Sequence, residues 1–135
     1  MPGIGVFAAI FDEQGSILCV KRNYPPFTWT TPGGGMEHGE SLNQAVEREV
    51  REETGYIVRA KRLLGAYSST YKDDLVLSIE AEIVDRRQWQ PNGEISEIGF
   101  FAKDELPQPM HLATIAWILD AFNKDVGVMR VFDAD

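Results

Sequence analysis

The order of hydrophobic and polar positions predicts strands first, then a helix, more strands and a second helix. Residues 3–11 and 16–22 are apolar and β-prone, and the polar turn at 12–15 between them predicts a β-hairpin. Residues 57–69, 75–84 and 97–101 are predicted as further strands. Helices are predicted over residues 41–54 and 110–123, where apolar residues recur at helical spacing. The order β-β-α-β-β-β-α predicts a mixed α/β or α+β structure, with helices packed on a sheet.

The first predicted helix has recognisable start and stop signals. Ser41 and Gln44 have the S-x-x-Q spacing of a capping box, and Gly55 stands where a helix C-terminal glycine is expected. The segment just upstream, residues 29–35, contains three consecutive glycines and is predicted as a loop. At Gly33 and Gly34 the main chain can therefore approach a ligand closely.

Three carboxylates of this helix share one face. At about 100° per residue, Glu49, Glu52 and Glu53 fall at roughly 0°, −60° and +40°, the side that also carries apolar residues. Carboxylates that face the protein body repel one another unless a cation neutralises them. Their hard oxygen atoms suit Mg²⁺ or Mn²⁺. The alternative is a solvated helix surface held by i,i+4 ion pairs such as Arg48 with Glu52.

Composition and charge limit the classes of function. The chain has 135 residues, 44% of them hydrophobic, which predicts one domain over residues 1–135. The net charge is −8 and no run of Lys or Arg exceeds two, so long nucleic acid is not an expected partner. The single cysteine, Cys19, excludes an internal disulfide and is expected to be buried. Without a signal-type segment or eighteen consecutive apolar residues, a soluble, cytoplasmic protein is expected, with no membrane partner.

The segment 34–56 carries a spaced motif. It reads Gly34, five residues, Glu40, seven residues, then Arg48-Glu49-Val50-x-Glu52-Glu53-x-Gly55 and the bulky Tyr56. This resembles the Nudix box, and the short chain resembles the MutT-like members of that family. The resemblance implies an α/β/α sandwich around a mixed sheet. It also implies Mg²⁺- or Mn²⁺-dependent hydrolysis of a nucleoside diphosphate linked to another moiety, and it is compatible with a homodimer.

The resemblance also implies roles for single residues. The carboxylates and the carbonyl group of Gly33 would bind the metal, and Arg48 would act with the acids in catalysis. Structural support would come from Gly34, Glu40 and Gly55. The metal-binding set implied by the family is therefore Gly33, Glu49, Glu52 and Glu53.

The general base and the substrate contacts are less defined by the pattern. Glu49 or Glu52 is one choice for the base, and a later loop offers Glu94 or Glu97. Arg22, at the end of a predicted strand, is the candidate phosphate contact, because a guanidinium binds phosphate with two donors. An exposed strand end is the alternative for that residue. Three aromatic residues before the glycines are candidates for stacking on a nucleobase or for core packing: Tyr24, Phe27 and Trp29.

Several substrates are compatible with the resemblance. The favoured one is a nucleoside triphosphate, cleaved to the monophosphate and pyrophosphate. The alternatives are ADP-ribose, another sugar nucleotide or a dinucleoside polyphosphate, and Tyr71 lies about where members acting on the last class carry a tyrosine. A non-catalytic, nucleotide-sensing domain is less favoured, because such domains can lose box carboxylates and this chain retains all of them.

Overall fold

The computed structural model describes residues 3–134, which form two β-sheets and two helices. In chain order the elements are β1 (Gly3–Ala9), β2 (Ile17–Arg22), β3 (Trp29–Thr30), β4 (Gly33–Gly35), α1 (Leu42–Thr54), β5 (Tyr56–Ser69), β6 (Asp74–Arg86), β7 (Ile95–Phe101), α2 (Leu112–Phe122) and β8 (Val128–Phe132).

The larger sheet is mixed, as predicted. Its strand order is β4-β1-β6-β5-β8, with β1 parallel to β6 and β5 parallel to β8. The other two pairings, β1 with β4 and β5 with β6, are antiparallel. The smaller sheet, β3-β2-β7, is antiparallel throughout.

The two helices lie on opposite sides of the sheets. Along β1, Val6 and Ala8 pack in the same hydrophobic cluster as the buried face of α1, whereas Phe7 and Ala9 pack in the cluster that contains Trp117 of α2. Successive side chains of a strand point to opposite faces, so one strand supplies both cores. The predicted α/β/α sandwich is confirmed.

The end signals of α1 are confirmed as well. The Ser41 hydroxyl accepts a hydrogen bond from the Gln44 N–H at 3.1 Å, and the Gln44 side chain accepts one from the Ser41 N–H at 2.9 Å. Gly55 ends the helix in the left-handed conformation, with φ of 77°, and its N–H donates to the Arg51 carbonyl. These local bonds fix where the acidic helix begins and ends.

The predicted hairpin of the first two strands is present only at its tip. An antiparallel bridge joins Phe11 and Ile17, and the Leu18 N–H donates to the Ile10 carbonyl at 2.9 Å, but β1 and β2 then enter different sheets. β1 pairs instead with β6 over seven residues, starting with Gly3 opposite Asp74. A partner this distant in sequence leaves no local signal.

Three further elements differ from the prediction. The segment predicted as a loop over 29–35 contains the short strands β3 and β4. The last strand, β8, was not predicted, and its side chains Met129 and Val131 are largely exposed. β7 begins at Ile95 rather than at residue 97. Cys19 is buried as expected, and burial raises the pKa of its thiol to about 12.

Within residues 3–134 no helix is long and apolar enough to cross a membrane. The longer helix, α1, has 13 residues, whereas a bilayer requires about 20.

Candidate active site

A cavity of about 310 Å³ lies where α1, the glycine segment, the end of β2 and the start of β7 meet. A larger hollow of about 750 Å³ occurs at residues 86–90, but no carboxylate lines it. The smaller cavity combines acidic, basic and backbone groups and is therefore the candidate site. Its lining residues are Phe7, Val20, Arg22, Tyr24, Thr30, Gly33, Gly34, Glu49, Glu53, Glu94 and Ile95.

Two carboxylates form the acidic wall of this cavity. Glu53 is buried, and its Oε1 accepts a hydrogen bond from the Gly33 N–H at 3.0 Å. The Glu49 side chain is 13% exposed and lies within hydrogen-bonding range of Glu53. Burial raises the pKa of both carboxyl groups, and at Glu53 the neighbouring Glu49 charge raises it further. The pair therefore retains a proton to higher pH than ordinary carboxylates do, and a cation bound between the two would likewise neutralise their charge.

The predicted third carboxylate is placed differently. The Glu52 side chain is 52% exposed and accepts a hydrogen bond from Arg48 at 2.9 Å. The expectation that all three acids face the protein body thus holds for Glu49 and Glu53 only. Among residues 3–134, no three His, Cys, Asp or Glu side chains already converge as a set able to hold a metal ion. The two inward carboxylates, with their raised proton affinity and hard oxygen atoms, nevertheless fit Mg²⁺ or Mn²⁺ as ligands.

Arg48 connects the acidic residues of the site. Its guanidinium binds Glu40 through two hydrogen bonds of 2.6 and 3.0 Å, and it donates to Glu49 at 3.0 Å. A further bond of 3.1 Å reaches the Gly35 carbonyl. The bond from Arg48 is the main reason why the pKa of Glu40 is lowered. Arg48 and Glu40 thus hold Glu49 in place.

The glycines of β4 bring the backbone against the acidic wall. A Cβ atom on Gly34 would lie 2.7–2.9 Å from the carboxylate atoms of Glu49, and one on Gly33 would lie 2.2 Å from the Val6 carbonyl oxygen. On Gly35 a Cβ atom would meet nothing within 4 Å. Neighbouring atoms leave no room for a side chain at Gly33 or Gly34, which explains why these two residues are glycine. Gly35 has room for a side chain.

Arg22 lines the same cavity from the end of β2. Its guanidinium donates to the Thr28 hydroxyl at 3.0 Å, and its charge lowers the pKa of Glu53, against the larger effect of burial. Of the cationic groups in the described residues, it is the one that lines this cavity. The structure thus brings Arg22, the candidate phosphate contact, into the cavity that Glu49 and Glu53 line.

The two loop acids are placed differently from each other. Glu94 lines the cavity, and its backbone is fixed by bonds to Asn92 Oδ1 and to the N–H of Asn23. Glu97 lies on β7, outside the cavity lining, and its carboxylate is 3.7 Å from the ammonium group of Lys21. Position therefore favours Glu94 over Glu97 for chemistry in the cavity.

A second cleft of about 490 Å³ adjoins this cavity and shares four residues with it: Phe7, Arg22, Tyr24 and Gly34. Tyr24 is about half exposed, so it can contact a ligand in either space. Trp29 is instead buried in the core, edge-on to Phe101 with ring centroids 5.2 Å apart. Of these two aromatic residues, only Tyr24 is available for stacking on a base.

Sequence reasoning missed Thr30 as a residue of the cavity. No motif marks it, because it lies between the buried side chains Trp29 and Thr31 on a two-residue strand. Trp29 and Thr31 both point into the core, and side chains alternate in direction along an extended chain. That alternation is the signal that Thr30 points away from the core side of its two neighbours.

Known proteins resemble this chain in sequence and in fold. The NUDIX domain model matches residues 1–122. Over 66 residues the chain is 46% identical to an ADP-ribose pyrophosphatase of Methanocaldococcus jannaschii, covering 47% of this chain and 39% of that protein. Over 63 residues it is 41% identical to a putative 8-oxo-dGTP diphosphatase of Bacillus subtilis, covering 47% and 42%. An ADP-ribose pyrophosphatase structure from Streptococcus suis matches with a TM-score of 0.77 at 29% identity, covering 97% of this chain and 99% of that one.

The chain therefore belongs to the Nudix family. Proteins named MutT are among the solved structures that share its fold. The alignments span only about two fifths of the length of the first two relatives.

Proposed function

We propose that the protein is a divalent-metal-dependent pyrophosphohydrolase that cleaves nucleoside triphosphates to the monophosphate and pyrophosphate. The observation that carries the proposal is the pair of inward carboxylates, Glu49 and Glu53, in a cavity that also contains Arg22. An acidic wall can hold a cation, and a guanidinium opposite it can bind phosphate. This combination supports phosphate chemistry despite the net charge of −8.

The residues that would hold Mg²⁺ or Mn²⁺ are Glu49 and Glu53, joined by Glu52 and the Gly33 carbonyl group. The buried carboxylate pair supports this set, and the Glu52 side chain is exposed enough to turn toward the cavity. Bound there, the cation would neutralise phosphate oxygens, orient the substrate and increase the acidity of the attacking water.

The chain's own groups account for the remaining chemistry. In the proposed reaction a water oxygen bonds to phosphorus, the phosphoanhydride P–O bond breaks, and pyrophosphate leaves with the bonding electron pair. Glu94, which lines the cavity, accepts the proton that the water loses, since a base must lie within hydrogen-bonding reach of that proton. Arg22 binds phosphate oxygens, and Arg48 with Glu40 keeps Glu49 in register.

The adjoining cleft supports a nucleotide as the substrate. With the phosphates in the 310 Å³ cavity, a nucleoside would extend into the 490 Å³ cleft past Tyr24, which lines both. ADP-ribose is the second candidate, because an ADP-ribose pyrophosphatase occurs both among the relatives and among the similar structures. The 8-oxo-dGTP diphosphatase relative supports the triphosphate class.

The test is a substrate panel of ordinary and oxidised nucleoside triphosphates, ADP-ribose, sugar nucleotides and dinucleoside polyphosphates, each with Mg²⁺, Mn²⁺ or EDTA. Pyrophosphate release from a triphosphate, abolished by EDTA, is expected. Metal-dependent cleavage of ADP-ribose alone would transfer the assignment to the second candidate. Inactivity on the whole panel, with metal binding measurable, would contradict the proposal.

The base assignment has a matched pair of variants. Glu94→Gln is expected to lower kcat by about 100-fold or more, the usual contribution of a general base, whereas Glu97→Gln is expected to stay within about twofold of wild type. Equal losses, or a larger loss for Glu97→Gln, would return the role of base to the acidic helix or to Glu97.

A further inference from the structure

The 490 Å³ cleft beside the candidate site is lined by a carboxylate that has no partner. Asp74, the first residue of β6, lines this cleft and is half-buried. Within residues 3–134 its side chain makes no hydrogen bond and no ion pair. Among the described acidic residues, Asp74 is the one that lines the cleft. Its two oxygen atoms are therefore available to a ligand bound there.

Strand register places this carboxylate on the cleft side of the larger sheet. Gly3 of β1 pairs with Asp74, and Gly5 pairs with Val76. Phe7, in the same alternating row as the two glycines, packs in the core cluster of α2. A Cβ atom on Gly3 would lie 3.8 Å from Asp74 Oδ1, so the carboxylate lies beside the glycine backbone of that row.

This row of β1 leads from the catalytic cavity to Asp74. Phe7 lines both the cavity and the cleft, whereas Gly3, Gly5 and Asp74 line the cleft alone. From Phe7 to Gly3 an extended strand covers about 13 Å, at about 3.3 Å per residue. In a nucleotide the sugar joins the phosphates, and the base lies beyond the sugar. With the phosphates in the cavity, the base would therefore reach Asp74.

The rest of the cleft offers surfaces that suit a flat base. Tyr24 and Pro26 line it from the segment after β2, and Ala113 and Trp117 line it from α2. Aromatic and apolar groups of this kind contact the faces of a base and do not distinguish one base from another. Discrimination between bases requires a polar group at the edge of the ring.

We propose that Asp74 is the residue that determines base specificity and that it selects guanine. This inference rests on the proposed function. Guanine presents two adjacent donors, N1–H and the 2-amino group, and a carboxylate accepts both with its two oxygen atoms. Adenine presents one donor beside an acceptor nitrogen, which a carboxylate cannot pair. Lys72, in the turn before Asp74, also lines the cleft and carries donors suited to the O6 atom of guanine.

The test compares GTP, ITP and ATP, which share the sugar and the phosphates and differ in the base. Hypoxanthine, the base of ITP, keeps the N1–H of guanine but lacks the 2-amino group. We expect kcat/KM to be about 5- to 150-fold higher for GTP than for ATP, the discrimination given by one bidentate base contact, with ITP between them. Equal values for GTP and ATP, or a higher value for ATP, would overturn the assignment.

Asp74→Asn keeps the shape of the side chain but replaces one acceptor oxygen by a donor. Its kcat/KM for GTP is expected to fall by about 5- to 150-fold, while the value for ATP does not fall. The preference for GTP over ITP should shrink to within about twofold, because the amide cannot accept from both guanine donors. A uniform loss on all three nucleotides would show a structural role and would overturn base selection.

Asp73→Asn is the matched control, since it removes the same charge from the neighbouring residue. Asp73 is exposed and does not line the cleft, and its φ of 52° is a conformation that asparagine tolerates. All three kcat/KM values should stay within about twofold of wild type. A loss of GTP preference equal to that of Asp74→Asn would mean that net charge, not the Asp74 contact, selects the base.

A readout independent of turnover is the affinity for GMP, IMP and AMP, which the proposed reaction does not cleave. In calorimetry with Mg²⁺, the wild type is expected to bind GMP about 5- to 150-fold more tightly than AMP, and Asp74→Asn is expected to lose this preference. Equal affinities in the wild type, or no binding of GMP, would overturn the inference even in an active enzyme. A wild type that binds GMP selectively but cleaves no triphosphate would contradict the proposed function and support the base site.

Discussion

Replacing Gly34 by alanine tests whether the glycine segment sets the position of the acidic wall. The added Cβ atom would lie 2.7 Å from Glu49 Oε1 and 2.9 Å from Oε2, whereas ordinary contacts begin near 3.4 Å. Gly34 has no positive φ, so alanine introduces no backbone strain of the left-handed kind. The collision is with a side chain, and relief comes from moving the Glu49 carboxylate.

The size of the effect follows from these distances. To restore a 3.4 Å contact the carboxylate must move by about 0.5–0.7 Å. Metal–ligand distances vary by only about 0.2 Å from their preferred values, and displacing a catalytic group by about 1 Å lowers the reaction rate roughly 100-fold. We therefore expect Gly34→Ala to lower kcat by about 10- to 100-fold, or about 1.4–2.7 kcal/mol of transition-state stabilisation. The free energy of unfolding should change by less than about 1 kcal/mol.

The assay compares turnover on the best panel substrate with Mg²⁺-induced thermal stabilisation. Gly35→Ala is the control, because a Cβ atom at Gly35 meets nothing within 4 Å, and it should behave as wild type in both measurements. Wild-type turnover and metal stabilisation in Gly34→Ala would refute the reasoning. Equal losses in the two variants would show that the segment responds to any side chain, not to the position of Glu49.

Three further changes have defined outcomes. Glu53→Gln removes a carboxyl group whose ionisation is opposed by burial, and it keeps an acceptor for the Gly33 N–H, so the metal-free variant should melt no lower than wild type at pH 8. It should also lose the Mg²⁺-induced stabilisation, which for wild type is expected to be about 2.7 kcal/mol at a Mg²⁺ concentration of 100 times Kd. Equal Mg²⁺-induced stabilisation of both proteins would contradict the role of Glu53 as a metal ligand. Asp120→Asn weakens the pair with Arg130, whose bond is the main reason why the pKa of Asp120 is lowered. That stabilisation is complete above the unfolded-state pKa and disappears as the pH falls through the lower folded-state pKa. The variant should therefore melt roughly 5 °C lower at pH 7, and the difference should shrink as the pH falls below about 4 and vanish once Asp120 is protonated in the folded protein; a constant difference in pH-dependent calorimetry would exclude the ion pair as its cause. Ser41→Ala removes the helix cap and should cost about 1 kcal/mol in urea unfolding, with kcat unchanged.

Much of the fold and part of the site could be predicted because the signals are local. The capping box at Ser41 and the left-handed Gly55 involve residues three or four positions apart, and both were found in the structure. Helical spacing also placed Glu49 and Glu53 correctly on the inner face. Glu52 sits at the edge of that face, where its bond to Arg48 keeps it half exposed.

What could not be predicted depends on contacts between distant parts of the chain. β1 finds its parallel partner about seventy residues later, so the predicted hairpin with β2 forms only at its tip. The strand β8 pairs with β5 as an edge strand, and its apolar residues occur on both faces, with Met129 and Val131 exposed, so it lacks the apolar–polar alternation that marks a half-buried strand. Arg22, Thr30 and Glu94 reach the cavity only through folding of the smaller sheet.

The two carboxylates of α1 and the other polar side chains of the cavity belong to different elements of the fold. Glu49 and Glu53 belong to α1, whereas Arg22 and Thr30 are on strands of the smaller sheet and Glu94 directly precedes its strand β7. In the proposed function, the two carboxylates that would hold the cation and the Arg22 guanidinium that would bind phosphate therefore lie on different elements of the fold. Under that proposal, a substitution at Arg22 can change how phosphate is bound without moving Glu49 and Glu53, so substrate preference can change while the residues proposed to hold the cation stay in place.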